Sequence, residues 1–173
     1  MFSIRPFDDY LDYPGIVAVW NTAWPEIPRS ARQWRQDDAL RPAGLRFERL
    51  VVEMENDIVG FGELMQDVEP KTPLSYWATL EVLPAYQPMN ICAALYSRLL
   101  GILQRLDAQQ VKTRVRSDQT ARIHFLEERG FWQQPEMVSK IHAGLDCCVP
   151  PQGDAQASQW LRFEKQFLAV ETV

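Results

Sequence analysis

A mixed α/β (α+β) domain is predicted by three observations. Apolar and turn-forming segments alternate in the order β α α β β β α β α β, two β-branched runs flank the turn residues Glu55-Asn56-Asp57, and a strand, a turn, a long amphipathic stretch and another strand succeed one another from Ser75 to Arg116. A hairpin requires antiparallel neighbours, whereas a strand-helix-strand crossover requires at least two parallel strands, so the sheet has to be mixed. The 173 residues, 46% hydrophobic and 24% charged, supply one well-buried domain and too little for two.

Residues 2–7 (FSIRPF) read as a short strand that ends at a proline and an acidic cluster. A helix is expected from about Asp12, because Ile16, Val17, Val19, Trp20 and Trp24 are helically spaced and Pro25 and Pro28 stop it. Ser30 and Gln33 stand in the relation of a capping box, which starts a second helix at Ser30. The hairpin covers about residues 48–66; Gly60 and Gly62 weaken its second strand and mark a bulge or a close backbone approach. SYWATLEVL is the next strand. After a glycine-free turn, Ile91, Leu95, Leu99, Ile102 and Leu106 form the stripe of a helix lying on a sheet. VKTRVR is a strand with Lys112, Arg114 and Arg116 on one face, read as a solvated or ion-paired face. A further helix opens at the cap-type residues Ser117 and Asp118 and ends at Gly130. PEMVSKIHAGL is the last strand of a domain spanning 1–145, residues 146–158 form a linker, and 159–173 a helical tail carrying Trp160, Phe163, Phe167 and Leu168.

The net charge of −5 and a pI near 5.1 exclude an ordinary nucleic-acid binder, which needs a positive surface to displace phosphate counterions. Charge appears at Arg5, Asp8 and Asp9 before a signal-peptide core could form, and no apolar run approaches the ~20 residues that span a bilayer. A cytoplasmic protein with no membrane partner is expected. Cys92 and the vicinal Cys147 and Cys148 have neither a disulfide-framework nor a zinc spacing, so ordinary thiols and no metal are expected.

The element order, the stretch VLPAYQPMNICAALYSRLL and the ending FLEERGF resemble the GNAT superfamily of acetyl-CoA-dependent N-acetyltransferases over about residues 3–143. Val82-Leu83-Pro84 matches the family's Val-x-Pro at the end of the fourth strand, and Gly130-Phe131 its terminal Gly-Phe. In the family pattern Gln/Arg-x-x-Gly-x-Gly/Ala, Gln87 takes the first place, Asn90 that of the first Gly and Cys92 that of the Gly/Ala. The resemblance implies a mostly antiparallel sheet with one parallel crossover pair, helices on both faces, and acetyl-CoA as co-substrate. It places the cofactor on Val82, Leu83, Gln87, Pro88, Met89, Asn90, Ile91, Cys92 and Ala93, with Gln119 at the family's Asn and Phe125 beside the family's Tyr position, which is Leu126 here. Pro88 lacks a donor N–H, Asn90 is the non-glycine residue best suited to the left-handed conformation or to capping, and Cys92 adds a side chain where backbone would approach phosphate. The chain also resembles the first half of tandem-GNAT proteins; a second copy in a homodimer, or the tail helix, would take the place of the missing half.

Acetyl transfer to an amine needs a base for the ammonium proton, donors for the oxyanion and a destination for the thiolate. The resemblance makes Glu81, at the end of the fourth strand, the base candidate, with Glu63 acting through water as the other, and an N–H near Val82 and Leu83 the oxyanion donor. Tyr86 or Tyr96 could replace the missing acid, while His124 and His142 read as structural or surface residues. Trp20 and Trp34 read as core; Trp24, outside the regular stripe, is expected with Glu81 in the acceptor pocket of a small-molecule amine. The alternative is a catalytically degenerate domain of the same fold that binds a ligand or dimerises.

Overall fold

The computed structural model describes residues 1–68, 74–134 and 160–167. The strands are β1 (Phe2–Pro6), β2 (Phe47–Met54), β3 (Asp57–Gln66), β4 (Ser75–Val82), β5 (Gln110–Arg116), β6 (Trp132–Gln133) and β7 (Trp160–Gln166), and the helices α1 (Tyr13–Ala23), α2 (Ala31–Ala39), α3 (Ile91–Arg105) and α4 (Thr120–Glu127). They form one seven-stranded sheet in the order β1-β2-β3-β4-β5-β7-β6. Among the described residues only the β4-β5 pairing is parallel. The predicted mixed sheet, mostly antiparallel and with one crossover pair, is the sheet observed.

Helices cover both faces. On one, Tyr13, Ile16, Val19 and Trp20 of α1, Trp24 just after it and Trp34 of α2 pack on Val51 and Phe61. On the other, Ile91, Leu95, Leu99, Ile102 and Leu103 of α3 join Leu64, Tyr76, Val111, Val115, Leu126 and Phe163. The α2 capping box forms as predicted: Gln33 N–H donates to Ser30 Oγ at 3.2 Å and Ser30 N–H to Gln33 Oε1 at 2.9 Å. Arg49 ties α2 to the sheet, since its guanidinium is 2% exposed between Asp38 at 2.7 Å and Glu63 at 2.6 Å.

The hairpin turn takes positive φ at Glu55 (53°) and Asn56 (70°), the conformation that matches the twist of the flanking strands. Both glycine expectations are met. The β2-β3 register shifts where Val52 pairs with Gly60 and Glu53 with Ile58, leaving Val59 as the extra residue of a bulge. A Cβ on Gly62 would lie 2.9 Å from Leu99 Cδ1, so α3 sits against bare backbone there.

Two expectations are corrected. The second strand-bounded helix, α4, begins at Thr120 rather than at Ser117-Asp118, because the Asp118 carboxylate is held by Arg116 at 3.0 and 2.9 Å and is not free to cap. The helical tail is a strand: Trp160–Gln166 pairs antiparallel with β5 over its whole length and lies between β5 and β6. Phe163 is fully buried and the Glu164 carboxylate accepts from Gln110 Nε2 at 2.9 Å, interactions that a sheet face supplies and an isolated helix would not. The expected strand over 135–145 and linker over 146–158 lie outside the described residues.

Candidate active site

β4 and β5 are paired only from Ser75–Trp77 with Gln110–Lys112; beyond that no pairing joins them, and a gap opens toward Val82 and Arg116. A cavity of about 250 Å³ runs along this gap beneath α3 and α4. Its described walls are mainly apolar, among them Leu80, Val82, Leu99, Leu126 and Phe131, and its only charged lining residues are Glu81 and Arg122.

Glu81 is 5% exposed. Trp24 Nε1 donates to its Oε1 at 3.1 Å, and Arg122 Nη1 donates to both carboxylate oxygens at 3.1 Å. Arg122 Nη2 donates also to the Leu80 carbonyl. Burial pushes the Glu81 carboxyl above the ordinary range, opposed by the charge and hydrogen bonds of Arg122 and by the Trp24 N–H. Burial likewise pushes the Cys92 thiol up, so it stays protonated in the cavity wall. Leu83 N–H donates to Val59 O at 2.9 Å, toward β3. Alternation along the strand therefore directs the Val82 N–H and the Leu80 carbonyl the other way, into the gap.

The turn after β4 is a 3-10 segment, Pro84–Met89, followed by Asn90 at φ 57°, ψ 18° in the left-handed region. Asn90 makes no side-chain cap, so the N–H groups of Ile91, Cys92 and Ala93 are the uncapped donors of an α-helix N-terminus. The Ile91 side chain is fully buried, which leaves its backbone to act. Pro88, Met89 and Asn90 are exposed beside it, and Gln87 donates from Nε2 to the Val82 carbonyl at 3.3 Å.

The other sequence candidates are placed as follows. Glu63 faces α2 and is ion-paired to Arg49, away from the cavity. Trp24, 2% exposed, touches the site through its bond to Glu81 and does not itself line the cavity. Phe125 and Tyr96 line the cavity, and the Tyr96 hydroxyl accepts from Lys165 Nζ at 3.2 Å. Tyr86 packs against the core, and Gln119 precedes α4 with a buried Oε1 that has no partner among the described residues. His124 is a surface residue beside Glu128, and His142 lies outside the described residues. Arg122 was missed by sequence reasoning. It sits one turn before Leu126 on α4, and that spacing is the signal that could have found it.

An uncapped helix start, a left-handed residue before it and a slot between two diverging parallel strands fit a thioester cofactor carrying a pyrophosphate, which helix N-termini bind through orphan donors and dipole. Solved structures share the fold. Ribosomal-protein-alanine N-acetyltransferase from Brucella melitensis aligns with TM-score 0.67 and 18% identity, over 95% of this chain and 99% of that one. The paiA N-acetyltransferase from Thermoplasma acidophilum, in complex with coenzyme A, gives 0.67 and 15% over 96% and 99%. yncA from Salmonella typhimurium, with its cofactor acetyl-CoA, gives 0.69 and 19% over 96% and 94%. No curated protein matches the sequence significantly. The sequence pattern of one family spans residues 8–131, well over half the chain and every element from α1 to α4 that builds the gap and its helix start; the protein belongs to the acetyltransferase (GNAT) family.

Proposed function

We propose that this protein moves an acetyl group from acetyl-CoA to the amine of a small-molecule acceptor by direct attack, with Glu81 as the base. The observation that carries the reading is a buried carboxylate in the gap between β4 and β5, beside an uncapped helix N-terminus. The N–H groups of Ile91, Cys92 and Ala93 would hold the pyrophosphate, and the Val82 strand edge and Phe125 the arm that follows. Acetyl-CoA supplies an activated acetyl group when bound. Glu81 accepts a proton from the acceptor's ammonium, which frees the nitrogen lone pair to form the new C–N bond as the C–S bond breaks. The Val82 N–H, aimed into the gap, would stabilise the oxyanion; the thiolate would leave with the C–S electron pair, and the nitrogen's second proton, shed as the amide forms, would pass through solvent to that thiolate. Glu63 would reach this site only through water, past its ion pair with Arg49.

The ribosomal-protein-alanine enzyme is named for a protein substrate; the amine is the chemistry common to it and this reading. Trp24 beside Glu81 suits a cationic acceptor. Composition supports work in the cytoplasm, and among the described residues no helix is long and apolar enough to cross a membrane. The second reading, a ligand-binding or dimerisation module without catalysis, is favoured by the turn, where Pro88 lacks an N–H, and by α4, where Leu126 stands at the acid position. Thermal unfolding with and without acetyl-CoA separates the two. At a hundredfold excess over Kd, binding adds about 2.7 kcal/mol of stability; no shift at millimolar acetyl-CoA rejects the transferase reading.

A further inference from the structure

The guanidinium of Arg122 reaches from α4 through the unpaired stretch of β4 and β5, where it bonds both Glu81 oxygens and the Leu80 carbonyl. We propose that Arg122 is a positioning residue that keeps Glu81 an ionised carboxylate in the gap, ready to accept a proton. The catalytic consequence rests on the acetyltransferase reading above; the coupling itself is a property of the free protein.

Several charged and titratable groups face Glu81. From β5 comes Arg116, whose charge is shared with Asp118 and Glu26. From α3 comes the neutral Cys92 thiol, and from the residue that follows α1 the Trp24 N–H; Glu63 on β3 is held by Arg49 toward α2. Among the described residues Arg122 is therefore the one cation bonded to the carboxylate. A carboxylate this buried would otherwise take up a proton, and a protonated Glu81 is no base. A guanidinium in this place acts by its charge and its hydrogen bonds. Its side chain is 22% exposed, which leaves it free to yield Glu81 to the ammonium of an acceptor, one cation replacing another.

The test is a ¹³C titration of the glutamate carboxyls in wild type, Arg122→Gln and Arg122→Lys, with the Glu81 signal assigned by its loss in Glu81→Gln. The Glu81 midpoint should rise by about one pH unit or more in Arg122→Gln and should be largely restored in Arg122→Lys. An unmoved midpoint in Arg122→Gln overturns the proposal. Should Arg122→Gln not fold, the wild-type Arg122 ¹⁵Nε shift decides: it should follow the Glu81 titration and stop doing so in Glu81→Gln, and a shift that ignores Glu81 overturns the coupling. With an amine that wild type acetylates, the acid limb of kcat/KM in Arg122→Gln should move up by the same amount, whereas a pH-independent fall assigns Arg122 a merely structural role. Absence of acetyl-CoA binding counts against the proposed function alone, because the two titrations are run without ligand.

Discussion

Glu81 concentrates the tension between stability and use. Burial holds its carboxyl above the ordinary range, so the folded chain binds that proton more tightly than the unfolded chain. The linkage sign follows: the contribution of Glu81 to stability is complete below the unfolded value of roughly 4.3 and is lost as pH rises through the folded value. Glu81→Gln removes this dependence, so the Tm of the variant minus that of wild type should grow from pH 4 upward and level off above the folded value; a constant difference would contradict the buried-carboxylate reading. Activity should respond in the opposite sense. With an accepted amine, Glu81→Gln should lower kcat/KM by about 10²–10⁴-fold, the usual worth of a positioned base, and unchanged turnover removes Glu81 from the role. Glu81 was legible in the sequence because its place is fixed by Val-x-Pro one residue later. Of its partners Trp24 was expected beside it, but Arg122 was not: it lies 41 positions away, and only the closed sheet brings the two together.

At the scale of elements, the glycines show how a strand sets up the site. A Cβ on Gly60 would lie 2.9 Å from the Glu81 carbonyl oxygen, a backbone atom that cannot yield without moving β4. Gly60→Ala should therefore displace Glu81 and lower activity, while Gly62→Ala meets only the flexible ends of Leu95 and Leu99 and should cost about 1–3 kcal/mol of stability by overpacking. Urea unfolding beside an activity assay separates the two effects; equal outcomes for both variants would reject the distinction. In the turn, Asn90 holds φ 57°, which glycine and asparagine adopt readily and β-branched residues do not. Asn90→Gly should keep wild-type stability, and Asn90→Val should lose about 1–2 kcal/mol. The sequence disclosed these features because local chemistry dictates them: a capping box, a turn with positive φ, a glycine where a helix lies close. It misplaced the start of α4, where the cap-type Asp118 is claimed by a guanidinium two residues earlier on β5.

For the whole molecule, the decisive segment is β7, which the sequence pattern predicts as a helix and the structure shows as a strand. Trp160, Phe163 and Phe167 fit a helical spacing of three and four, while Phe163, Lys165 and Phe167 fit the alternation of a strand equally well. Nothing local chooses between them; the open edge of β5 does, by offering a ladder from Gln110 to Arg116. β7 then becomes the seam of the sheet. Phe163 enters the core with residues of α3 and α4, and Lys165 Nζ donates to the Arg129 carbonyl at 2.7 Å and to the Tyr96 hydroxyl, joining β7 to α3 and to the turn after α4. Residues 160–167 are thus tied into the sheet and core, and we expect them to unfold with the domain as one cooperative unit. Phe163→Ala should cost about 3–5 kcal/mol, as for a fully buried aromatic side chain, and should lower acetyl-CoA affinity less than Asn90→Val does, since it touches the core and not the helix start. Ending the chain before residue 160 should abolish the cooperative thermal transition. A truncated chain that melts cooperatively at the wild-type Tm would show that β5 does not need β7, and would return the segment to the status of a tail.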